Sequence, residues 1–158
     1  MKRNRWIIFL TVLAVAAGAL GLAFARPGQA GPLPLSEAAG KVFEDLEDMT
    51  EYDEEEFFDI VGVAPEDYTE FIYCTGENEI GLVAREILIV RAKDKAAAER
   101  VRDALTAYHA RRETETRSYA PDIYAMLEKS SVTVKGNTVV LIISTDSAAE
   151  TAEFLQGE

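Results

Sequence analysis

SVTVKGNTVVLIIS, residues 131–144, decides the fold. Val132 and Val134 stand in alternation, Gly136-Asn137 supplies a turn, and Val139 to Ile143 is an apolar run rich in β-branched residues. Two such runs on either side of a glycine-containing turn read as a β-hairpin. The next stretch, TDSAAETAEFLQ, changes to helical spacing, with Ser147 and Glu150 placed as a capping box and Ala148, Ala152 and Leu155 along one face. A hairpin followed by a helix closes the chain.

The same succession occurs earlier. Phe71 to Cys74 is a short aromatic and β-branched run, GENE at Gly76 to Glu79 is a turn, and EILIVR at Glu86 to Arg91 is a stronger strand. From Asp94 to about Glu115 the spacing becomes helical, with Ala97, Val101, Leu105 and Tyr108 on one stripe. Arg100, Arg102, Arg111 and Arg112 fall mostly away from that stripe. Pro121 opens a short helix carrying Ile123, Tyr124 and Leu127.

Ahead of the first hairpin, Ser36 is placed to cap a helix with apolar positions Ala39, Val42, Phe43, Leu46 and Met49. Asp53 and Glu56 resemble a capping pair for a second, short helix that Gly62 ends. The expected fold is α+β, a domain over residues 36–158 with a four-stranded, mainly antiparallel sheet. Two hairpin-plus-helix units build the sheet, two helices and an N-terminal membrane segment precede it, and helices cover one of its faces.

That N-terminal segment spans residues 1–25. Lys2, Arg3 and Arg5 precede an uncharged run from Trp6 to Ala25, the layout of an export signal. A helix of this length rises about 30 Å, the thickness of a bilayer's hydrocarbon layer, which favours a retained single-pass anchor. The alternative is cleavage and secretion, at the small-residue sites ending in Ala25 or Ala30. Cations concentrated before the run place the rest of the chain outside the cell membrane. Residues 26–35, with three prolines and two glycines between Ala25 and Leu35, read as a linker.

Charge is unevenly spread. Glu37 to Glu79 holds 16 acidic residues against Lys41 alone, a net of −15, whereas Ile80 to Glu158 holds 12 acidic and 11 basic residues. So acidic a surface repels nucleic acid and anionic headgroups, leaving the apolar segment as the membrane contact. The lone Cys74 has no partner within the chain, so packing must hold the domain together.

Few residues suggest chemistry. Asp53, Glu54, Glu55 and Glu56 could attract a hard cation, but consecutive carboxylates on a helix start point in different directions and suit the helix dipole instead. Glu77 and Glu79 flank a turn and could offer a carboxylate pair, though turn composition explains them. Cys74 reads as a buried strand residue, and His109, the single histidine, makes neither a zinc site nor a triad. Ala14 with Gly18, and Ala17 with Gly21, have the spacing of close helix contact in membranes. No catalytic, cofactor-binding or metal-ligating residue is assigned, and no cofactor is expected.

The strings EILIVRAKDKAAAERVRDAL, Glu86 to Leu105, and SYAPDIYAMLEKSSVTVKGNTVVLIIS, Ser118 to Ser144, resemble the family called Domain of Unknown Function 4358. The shared features include Arg91-Ala92-Lys93-Asp94 after the first hairpin, the Tyr-x-Pro phrase at Tyr119 to Pro121, and Lys135-Gly136-Asn137. The resemblance implies an exported, membrane-held protein of a Gram-positive bacterium; it carries no activity. Many relatives look lipid-anchored through a cysteine, and none lies just after the apolar run here. The expected function is a membrane-tethered extracytoplasmic binding or accessory module, with an unknown protein or envelope component as partner. The alternatives are an envelope hydrolase using a carboxylate pair, or a weak divalent-cation binder.

Overall fold

β-branched and leucine side chains occupy every position of Val139 to Ile143 and of Ile87 to Val90 on the neighbouring strand; all of them are buried. A strand buried on one face alternates apolar with polar, so an unbroken run marks burial on both faces. The computed structural model, which describes residues 32–157, has that arrangement. Its sheet is antiparallel throughout, in the order β1 (Thr50–Glu51), β2 (Tyr68–Glu77), β3 (Val83–Ala92), β5 (Thr138–Ile143), β4 (Thr133–Lys135).

Five α-helices lie among the described residues: α1 (Leu35–Gly40), α2 (Glu54–Val61), α3 (Lys95–Thr116), α4 (Pro121–Leu127) and α5 (Ser147–Gly157). Register sorts the strand residues between two layers. Leu88 lies opposite Leu141 and Val90 opposite Val139, and these side chains pack with Phe57 of α2, Val101 and Leu105 of α3, and Leu127 of α4. Ile87 lies opposite Ile142 and Ile89 opposite Val140, and these pack with Ala39 of α1, Phe43, and Phe154 of α5. Each fully buried aliphatic side chain contributes about 1.5–3 kcal/mol.

The α+β class and the two hairpin-plus-helix units hold, but the sheet has five strands rather than four. The extra strand, β1, is only two residues long and shows no period of its own. Helices cover both faces, not one, because the helices that follow the two hairpins pack on opposite sides. The anchor over residues 1–25 lies outside the described residues; among those described, no helix is long and apolar enough to cross a membrane. Residues Leu33–Glu158 form one compact unit.

Local signals decide most boundaries. Asp53 accepts from the Glu56 amide at 2.9 Å while Glu56 accepts from the Asp53 amide at 3.1 Å, so the expected capping box forms. Gly62 ends α2 at φ 84°, a left-handed conformation that glycine adopts without penalty, and Gly136 turns the second hairpin at φ 62°. Asp94 caps α3 by accepting from the Ala97 amide at 2.8 Å.

Three expectations fail locally. The helix expected from Ser36 starts at Leu35 and stops at Gly40, where tighter turns bring Phe43 onto Phe154 with ring centroids 6.3 Å apart. The first hairpin turns at Asn78–Gly81 rather than Gly76–Glu79, because the Asn78 side chain accepts from the amides of Ile80 and Leu82. Ser147 and Glu150 form no box: Glu150 instead accepts from Ser144 Oγ at 2.6 Å and Arg85 at 2.9 Å. The buried stripe of α5 is accordingly Ser147, Thr151 and Phe154.

Candidate functional site

Glu86 shares the parity of Leu88 and Val90, so the pleat turns its carboxylate into the layer beneath α3. It is fully buried. An uncompensated charge there would cost several kcal/mol, and α3 supplies the compensation from two residues one turn apart. Arg112 Nε donates to Glu86 Oε1 at 2.7 Å, and Tyr108 donates its hydroxyl hydrogen to Oε2. Arg112 Nη2 also donates to the Val83 carbonyl at 3.0 Å.

The chain of bonds continues outward. Tyr108 has spent its only hydroxyl hydrogen on Glu86, so at 3.1 Å Tyr73 must be the donor to the Tyr108 oxygen. Tyr73 stacks on Tyr52 at 4.4 Å between centroids, and the Tyr52 hydroxyl accepts from Thr75 at 3.3 Å. The Tyr52 amide donates to the Tyr73 carbonyl at 2.9 Å, which ties the residue after β1 to β2.

Over this network runs a groove of about 550 Å³. Tyr52, Tyr73 and Val83 line it from the sheet side, Asp59 and Ile60 from α2, and Tyr108, Arg111, Arg112 and Glu115 from α3. Arg111 lies over the Tyr108 ring at 5.3 Å, donates to the Ile60 carbonyl, and faces Glu115 at 3.9 Å. Asp59 is exposed and has no ion-pair partner among the described residues.

Burial, and then the Glu86 charge, pushes the Tyr108 hydroxyl far above the usual tyrosine range. Tyr73 is raised chiefly by burial. At Arg112 burial opposes the charge, but Glu86 outweighs it and holds the guanidinium protonated. Both Glu86 oxygens are thus occupied by donors that keep their protons, an arrangement that fixes ring and guanidinium positions rather than transferring hydrogen.

The residues singled out from sequence do not converge on this groove. Asp53 and Glu56 are used in the helix cap, and Glu77 and Glu79 are exposed at the tip of the β2–β3 hairpin. Cys74 is buried in the opposite layer, and burial pushes its thiol up to about 11. His109 Nε2 lies 3.0 Å from both the Leu127 carbonyl and Ser130 Oγ, joining α3 to the end of α4. Ala14, Ala17, Gly18 and Gly21 lie outside the described residues. Among the described residues, no group of three or more His, Cys, Asp or Glu is gathered to hold a metal ion.

Sequence reading missed Glu86, although a signal was present. Counted by twos from Leu88 and Val90, Glu86 falls on their face, and Tyr108 and Arg112 are four apart on one helix.

The family described as Domain of unknown function (DUF4358) matches residues 43–144, about two thirds of the chain. The chain belongs to this family. Every residue lining the groove lies within the DUF4358 match, whereas α1 and α5 lie outside it. No curated protein and no solved structure matches the chain.

Proposed function

We propose that this DUF4358 protein is a membrane-held, extracytoplasmic binding module, and that the groove between α2, α3 and the sheet is where it meets a protein or envelope partner. The observation that carries this reading is the groove's construction, with three tyrosines and two arginines held in place over a fully satisfied buried carboxylate. Tyrosine and arginine dominate binding hot spots because each combines apolar area with directed hydrogen bonds, and prior fixing lowers the entropy lost on contact. The membrane part rests on Lys2, Arg3 and Arg5 ahead of the uncharged run to Ala25. This run, with no cysteine just after it, favours a transmembrane anchor over lipid attachment.

The test is site-specific photocrosslinking of the full chain in its own membranes. A benzoylphenylalanine at Ile60, in the groove, should yield one dominant crosslinked species, and one at exposed Tyr119 should not. Equal labelling from both positions, or none from Ile60, overturns the proposal. Mass spectrometry of the mature N-terminus addresses the anchor: an intact start supports it, and a fragment beginning at Arg26 or Gly31 replaces it with a cleaved signal.

A further inference from the structure

The charge still available in the groove is negative. Arg112 is committed to Glu86 and the Val83 carbonyl, and Arg111 to the Ile60 carbonyl, the Tyr108 ring and Glu115. Asp59 remains, exposed and without an ion-pair partner among the described residues, on the same wall as Ile60. The half-buried Tyr52 ring, already fixed by stacking on Tyr73, lines the same groove. A groove lined by a free carboxylate, an immobilised aromatic ring and apolar side chains fits a cation on an apolar stem: the charge pairs with carboxylate and ring, and the methylenes cover Ile60 and Val83.

The wider field acts in the same direction. Asp59 and Tyr52 belong to the segment from Glu37 to Glu79, whose net charge is −15. Only four of its carboxylates, those of Asp45, Asp67, Glu70 and Glu37, form ion pairs among the described residues, the last with the segment's own Lys41. That field speeds encounter with a cation and opposes an anion.

We infer that the groove accepts a lysine- or arginine-bearing segment of a protein partner, with Asp59 and Tyr52 as the recognising pair. This inference rests on the binding-module reading and adds the chemistry of what is bound.

The test uses the full chain in an uncharged detergent, with fluorotyrosine in place of tyrosine and the resonances assigned by single Tyr→Phe variants. The probes are two blocked tripeptides, Leu-Lys-Leu and Leu-Glu-Leu. Leu-Lys-Leu should shift the Tyr52 resonance saturably, and Leu-Glu-Leu should leave it in place. Asp59→Asn should weaken Leu-Lys-Leu binding about fivefold, the scale of one partly screened charge contact beside a ring. Glu44→Gln, which removes an acid next to Phe43 in the opposite layer, should change it less than twofold. Equal shifts from both peptides, or equal effects of the two variants, overturn the inference, the latter because it reduces the effect to the general field. Crosslinking from Ile60 to an acidic partner segment would defeat this inference alone, whereas no crosslinking from Ile60 would defeat the binding-module reading beneath it.

Discussion

Removing the Glu86 carboxylate would leave the largely buried Arg112 guanidinium without its anion. Glu86→Ala should cost about 3–5 kcal/mol, measured as a lowered urea midpoint, since breaking one side of a buried pair leaves a desolvated charge. The double variant Glu86→Leu with Arg112→Met should recover most of that loss, because apolar replacement of the whole pair avoids desolvation altogether. A double variant as unstable as the single would show that Tyr108, rather than Arg112, carries the energetic coupling. Cys74 gives a second prediction at this scale. Its thiol is buried and pushed up to about 11, so a thiol reagent at neutral pH should modify it only as fast as the domain opens. Modification faster than global unfolding would place Cys74 in a locally opening region. The inertness of Cys74 could be read from its strand, whereas Glu86 looked like the polar first residue of EILIVR until its parity was traced.

α2 forms one wall of the groove, and two short-range devices hold it. Asp53→Ala removes the capping box and should cost about 1 kcal/mol. Gly62→Ala forces a side chain into a left-handed turn at φ 84°, at a cost of about 1 kcal/mol or more. The two effects should add in thermal melts if both act only on α2, and Ile60 crosslinking should fall with each. Such devices were legible because every participant lies within a few residues. The Ser147 and Glu150 pattern looked equally good and failed, since Glu150 is taken by Ser144 and by Arg85, 65 residues away in sequence. No local rule contains Arg85. β1 escaped notice for a related reason: Thr50 and Glu51 are a strand only because Thr75 and Cys74 lie opposite them. The two-layered core was misread as covered on one face only, although VVLII carried the signal: its failure to alternate is the mark of a strand covered on both sides.

Across the molecule, pH acts through groups that the fold keeps neutral. Tyr68 is pushed up to about 12 by burial and its bond from the hydroxyl to Glu54, and Tyr73 and Tyr108 are also raised. A raised tyrosine stabilises the fold below its unfolded value of 10.0, and that contribution is lost as pH rises toward the folded value. Stability should therefore fall steeply between about pH 10 and 12, with phenolate absorbance and loss of helix appearing together. Phenolate formed well before unfolding would mean that these hydroxyls reach solvent. At the acid end, Asp67 is held below its ordinary value by the Arg100 hydrogen bond, so its contribution persists above the usual carboxylate range and disappears as pH falls below it. Strand order has a further consequence, for the sequence of events during synthesis. β5, among the last elements made, sits inside the sheet between β3 and the edge strand β4. Until Thr138 to Ile143 emerge, one side of β3 has no neighbour, and Ile87 to Val90 offer an apolar edge to any passing strand. A chain arrested before Thr138 therefore lacks its keystone rather than its trim, and its nascent half needs shelter for as long as the remainder takes to arrive.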